Sequence, residues 1–187
     1  MQFRSTVDGW GAILRTFHWV MVLLIAVMVP LGLYMTGLPL GVGKVRVYAL
    51  HKSIGLVVLG LALLRLLWRA SETRPTLSPM PDWQARAAKA VSIALYALLF
   101  AVPLSGWLFN SAAGFPLSWF GLVNLPALTA ANPTLKPIAR ELHTTFVWVL
   151  LAVVTLHAAG AFKHHFVDRD RTLSLMLPWL KSPEGRR

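Results

Sequence analysis

The chain has no cysteine and very little acid. Among its 187 residues, seven are Asp or Glu and eighteen are Lys or Arg, and charged residues make up only 13%. The missing cysteine excludes a c-type haem attachment motif, thiolate-held iron–sulfur clusters and disulfides, and leaves the compartment open. No carboxylate falls between Asp8 and Glu72 or between Asp82 and Glu141. Metal transporters and proton pumps set Asp or Glu beside histidine inside the membrane, so this gap argues against both classes. There is no Gly-rich phosphate loop, no Ser-His-Asp set placed to work, no internal repeat and no low-complexity tract. The net charge of +11 invites a nucleic-acid reading. However, the cations flank apolar runs and form no groove-binding motif, so they read as orienting and anchoring groups in lipid rather than as a nucleic-acid surface.

What the chain does have is hydrophobicity. Apolar residues reach 56%, with a mean hydropathy of +0.61. A soluble domain carries charge on about a quarter of its residues. Four runs, over 17–35, 50–68, 88–109 and 144–162, are each near the ~20 residues that cross about 30 Å of hydrocarbon. The first reads as a span rather than a removed signal peptide, because only 35–37 offers a small-residue cleavage pattern, and a weak one. The expectation is one all-α domain over 1–187, an integral membrane four-helix bundle.

Charge placement orients it. Arg4 and Arg15 precede the first span. Arg69, Arg74, Arg86 and Lys89 sit between the second and third. Lys163, Arg169, Arg171, Lys181, Arg186 and Arg187 follow the fourth. The other two connections hold only Lys44, Arg46, Lys136 and Arg140. By the positive-inside rule both termini are cytoplasmic. Arg65 and Arg69, one turn apart, read as snorkelling to the inner headgroups. Pro30 and Gly32 suggest a kink in the first span, and Pro103 interrupts the third. The segment 38–43 reads as an outer turn and 71–83, with three prolines, as an irregular inner loop. The connection 110–142 is long for a bundle. Its Ser118-Trp-Phe-Gly-Leu122 segment suits an interfacial belt, and Asn132-Pro-Thr134 a cap for a short helix before the fourth span.

The histidines are the most informative residues. His143 and His157 lie 14 residues apart in the last span. That is roughly 21 Å along a helix and about 40° short of four full turns, so both rings face nearly one way. Supercoiling closes the gap, because 14 is two heptads. His18 begins the first span, near its inner end, and His51 begins the second, near its outer end. Depth therefore pairs His18 with His157 and His51 with His143. Two imidazoles saturate a b-type haem iron, giving an electron carrier without an open position. Four histidines at two depths match two stacked b haems. Propionates call for cations: Arg15 and Lys163 on the inner side, Arg46 and Lys52 on the outer. His164 and His165 read as surface residues.

Several segments resemble the bacterial cytochrome b561 family. They are Phe17-His-Trp19, Ala49-Leu-His-Lys-Ser-Ile-Gly55, Pro103-Leu-Ser-Gly-Trp107, Ser118-Trp-Phe-Gly121, Glu141-Leu-His143, Leu156-His157 and Lys163-His-His-Phe-Val-Asp-Arg-Asp170. The resemblance covers nearly the whole chain, from Arg15 to Pro178. It implies a four-helix inner-membrane protein with two b haems held by His18, His51, His143 and His157, exchanging electrons with ubiquinone. It also implies superoxide oxidase activity as found in some members, with superoxide giving its electron at the outer side. Lys44, Arg46, Lys52, Lys136 and Arg140 against Glu141 would attract that anion. Similar di-haem bundles serve as quinone-linked subunits of hydrogenases and formate dehydrogenases. The alternative is therefore a subunit fed by a periplasmic redox partner docking on the 110–142 connection.

Overall fold

The four apolar runs form four long helices in a computed structural model that describes residues 2–76 and 78–180. They are α1 (Ala12–Gly37), α2 (Val42–Ala70), α3 (Asp82–Ala112) and α4 (Leu135–Phe166). Only a helix or a closed barrel satisfies every backbone group within hydrocarbon, and these runs are long enough to be helices. Each helix extends beyond the apolar run that marks it. Pro30 and Pro103 lie inside α1 and α3 without ending them. The cations Lys181, Arg186 and Arg187 lie outside the described residues.

α3 packs along α4, α1 along α2, and α2 also meets α3. The side-chain core is small. Met21, Val58, Ala62 and Leu99 form it, flanked by Leu24, Ile25, Leu61 and Phe100. Large apolar residues such as Leu23, Leu64, Leu67, Trp148 and Leu156 point outward. That is the arrangement expected when lipid, rather than water, is the solvent.

The long connection between α3 and α4 is built rather than slack. β1 (Leu117–Trp119) and β2 (Val123–Leu125) pair antiparallel, with Ser118 opposite Asn124. The turn between them puts Phe120 at φ 48° and Gly121 at φ 75°, and Leu122 N donates to Trp119 O at 2.9 Å. A two-residue turn with both φ positive matches strand twist but strains any residue other than Gly or Asn. Ser53, 2% exposed, holds the strained residue: its Oγ accepts from Phe120 N at 2.9 Å and donates to Ser118 O at 3.3 Å. Next to it, Lys52 Nζ donates to Asn110 Oδ1 at 3.1 Å and Pro116 O at 2.9 Å. Asn132 Oδ1 accepts from Thr134 N and Leu135 N. The short helix expected before the fourth span is therefore the first part of α4 itself. Pro137 falls in its first turn, where a missing N–H does no harm.

A clasp closes the other end. Residues 5–11 fold back on themselves, with Gly11 N donating to Ser5 Oγ at 3.0 Å. A Cβ at Gly11 would lie 2.4 Å from Phe3 O, so only glycine fits. Ser5 N bonds the Glu72 carboxylate, Thr76 N donates to Val7 O, and Arg171 reaches Asp8 O. The short α5 (Thr172–Met176) rests against α1, where Trp19 Nε1 donates to Met176 O at 3.1 Å. Asp170, 7% exposed, organises the turn into α5. Its carboxylate accepts from His164 Nδ1 at 2.6 Å and from Thr172 N at 2.8 Å. His164 is thus a half-buried structural residue, contrary to the surface position expected of it.

Burial pushes the Asp170 carboxyl up, but the Thr172 and His164 hydrogen bonds outweigh it and hold it below the usual carboxylate range. A depressed carboxylate stabilises the fold above its unfolded pKa, and that contribution is lost as pH falls through the folded value. Asp170→Asn should therefore destabilise the clasp by about 1.5–3 kcal/mol at neutral pH, the range for hydrogen bonds to a charged group. Faster amide exchange over residues 163–176 reads this out. The gap from the parent protein should start to narrow as pH falls past about 4, the ordinary carboxylate value, and close only below the depressed folded value, where the Asp170 carboxylate is itself protonated.

Candidate functional site

Two-heptad spacing recurs on three helices. α4 carries His143 and His157, α2 carries His51 and Arg65, and α1 carries His18 and Gly32, each pair 14 residues apart. Because 14 residues return a supercoiled helix to the same face, each helix presents two residues to the bundle interior at two depths.

At the level nearer the N-terminal end of α1, called inner here from the charge pattern, the structure brings His18 to His157, ring centroids 6.1 Å apart with planes at 64°. At the outer level it brings His51 to His143, 6.4 Å apart with planes at 84°. Two metal–nitrogen bonds of about 2.0–2.1 Å, with half an imidazole at each end, span about 6.3 Å. Both pairs therefore fit a shared axial metal, as a bis-histidine haem iron requires.

The outer pair is framed closely. His143 Nδ1 donates to Val102 O at 2.9 Å, and Ser105 Oγ lies 3.3 Å from the same atom. Such a bond fixes the tautomer and leaves Nε2 free to act as a ligand. A Cβ at Gly106 would lie 3.0 Å from His143 Cε1, and one at Gly32 would lie 3.2 Å from His51 Cε1. Glycines on α1 and α3 thus make room for the two outer rings.

The inner pair has different neighbours. Arg65 Nη2 lies 3.3 Å from His18 Nδ1, and its guanidinium lies over the Tyr96 ring at 5.5 Å. Arg65 therefore turns into the bundle instead of out to the headgroups. Arg69 spans Tyr96 and Trp10, at 5.8 and 5.4 Å from their rings. The two-heptad step from His51 is the sequence signal that identifies Arg65.

The expected propionate cations fare unevenly. Arg15 is half-buried beside α1's inner end and Arg46 is exposed. The Lys52 ammonium is taken up by Asn110 near the end of α3 and by Pro116 just before β1. Lys163 pairs with Asp168 at 2.6 Å, with Gln84 Oε1 at 3.4 Å. His164, Asp168 and Asp170 group their ligand-type atoms within 4.8 Å, but their hydrogen bonds belong to the clasp.

The sequence profile of the prokaryotic cytochrome b561 family matches residues 9–179. Cytochrome b561 homolog 2 of Escherichia coli (strain K12) is 36% identical over 99% of this chain and 100% of its own length. Cytochrome b561 homolog 1 of the same strain is 30% identical over 68% of this chain and 73% of its own length. A probable superoxide oxidase CybB of Yersinia pestis is 29% identical over 69% of this chain and 73% of its own.

The glycine frame is testable on its own. Gly106→Val should displace the His143 ring from Val102 and reduce iron-porphyrin absorbance by the share of the outer pair. Gly60→Val is the control, since a Cβ there meets nothing within 4 Å. Gly60 is on α2, so equal loss in both variants would show a general cost of placing valine at a helical glycine rather than displacement of the His143 ring.

Proposed function

This chain belongs to the prokaryotic cytochrome b561 family, and we propose that it holds two b haems and oxidises superoxide at the outer membrane face while reducing ubiquinone. Family membership makes it a bacterial membrane electron-transfer protein with four membrane-crossing helices and b-type haem. The observation that carries the two-haem reading is the pairing of imidazoles at two depths, at centroid separations that suit a shared iron, and the superoxide reading rests on the likeness to a probable superoxide oxidase and on the exposed cations. In this reading His18 and His157 hold the inner haem iron, and His51 and His143 the outer.

A bis-imidazole haem, when bound, supplies a one-electron carrier with no position open to oxygen. The chain's own part is to fix the rings, exclude water and shape the outer field. Superoxide loses one electron and leaves as dioxygen. Two such electrons with two protons convert ubiquinone to ubiquinol. Arg46, Lys136 and Arg140 are exposed on the outer side and attract an anion. Lys44 and Lys52 contribute charge but also hold structure: Lys44 Nζ donates to Thr36 O and Leu38 O at the end of α1. The positive-inside distribution supports cytoplasmic termini.

Haem extraction should return two haems per polypeptide. His51→Ala and His143→Ala should remove the outer haem and spare the inner, and His18→Ala and His157→Ala the converse. Difference spectra and haem assay decide it, and equal partial loss of both haems in every variant would contradict the layers.

The donor is tested by steering. Replacing Arg46 and Arg140 with glutamine should slow superoxide-driven haem reduction several-fold at low salt. It should have little effect at high salt, because exposed charges are screened over about 8 Å at physiological ionic strength. A neutral reductant should be unaffected. A well-haemed protein that does not oxidise superoxide would move the assignment to a quinone-linked subunit fed by a docked periplasmic partner.

A further inference from the structure

Arg65 is a cation facing the interior of a membrane bundle, and among the described residues no carboxylate lies within ion-pair distance of it. Its Nε is buried without a hydrogen-bond partner, and so is the Oη of Tyr96, whose ring lies under the guanidinium. Charges and donors left this way inside a membrane cost several kcal/mol unless an anion meets them. Trp10, Trp68 and Tyr96 offer only aromatic faces to Arg65, Arg69 and Arg4. The nearest polar contact of Arg65 is His18 Nδ1.

That contact cannot persist if His18 binds iron through Nε2. The neutral ring then carries its proton on Nδ1, and two donors would face each other. The guanidinium must turn to an acceptor. The acceptors that arrive with the iron are the haem carboxylates, and a guanidinium matches a carboxylate in shape and charge.

We propose that Arg65 and Tyr96 form the carboxylate-binding end of the inner haem site, Arg65 receiving a propionate and Tyr96 Oη donating to it. This rests on His18 and His157 as inner ligands. It replaces Lys163, which Asp168 already engages, as the inner propionate partner. It also makes the two levels electrostatically unequal. The inner iron has an arginine at its own depth, whereas the outer pair is bordered by Gly32 and Gly106. A nearby fixed cation favours the ferrous state, so Arg65 raises the inner midpoint potential above what two imidazoles alone would set.

The test is a potentiometric titration of purified full-length protein and its Arg65→Gln, Arg65→Lys and Tyr96→Phe variants, followed by absorbance. The inner step is identified as the one missing from His157→Ala. Arg65→Gln should weaken reduction of the inner haem on the order of tenfold, about 59 mV for one electron, and leave the outer step in place. Arg65→Lys should stay near the parent, and Tyr96→Phe should shift the inner step by less than Arg65→Gln. An inner midpoint unchanged by Arg65→Gln, or an equal shift of both steps, overturns the proposal. If Arg65→Gln releases the inner haem, Arg65→Lys must retain it, and equal release from both overturns it as well. A parent protein with two haems but no charge effect refutes this proposal alone. A parent protein without an inner haem refutes the ligand assignment and this proposal together.

Discussion

Hydrocarbon supplies no hydrogen bonds, and that constraint governs the interior of this bundle. Every inward polar side chain must find a partner within the protein or in something the protein binds. The four histidines face one another in pairs across the bundle, and His51 Nδ1 is buried without a hydrogen-bond partner in the protein, so the outer pair falls under the second case. The backbone meets it by running as unbroken helix through Pro30 and Pro103. The side-chain core is correspondingly small, because much of what faces inward is imidazole, guanidinium and glycine rather than interlocking aliphatic groups.

Much of this was legible in the residues. Four apolar runs give four helices, since hydrocarbon permits few other solutions. The pairing of His18 with His157 and His51 with His143 followed from helix direction and depth alone, and the rings meet in those pairs. What escaped the sequence was the behaviour of long flexible cations. Arg65 and Lys163 both sit at the inner end of a span, and composition treats them alike. One turns inward to His18 and the other outward to Asp168, a choice set by neighbours from other segments. His164 was misread for the same reason: Asp170, which buries it, is six residues further along a turn that the apolar pattern does not describe. The outer hairpin escaped because its strands are three residues each, too short for alternation to register.

The two levels are framed by opposite means. Around the outer pair, the absence of side chains on α1 and α3 lets rings approach the backbone, and a carbonyl fixes the His143 tautomer. Around the inner pair, a charged side chain and a phenol crowd in. Similar imidazole pairs thus sit in unlike surroundings, and under the proposed reading two like centres would differ in electron affinity.

α4 contributes one ring to each pair, and it is the last of the four long helices to leave the ribosome. Neither pair exists while only α1, α2 and α3 have been made. His18 and His51 must therefore wait in the membrane, each without the ring it will face, until the final span inserts. Assembly of both levels is thus tied to completion of the chain, and a product that stops before α4 has neither ring pair.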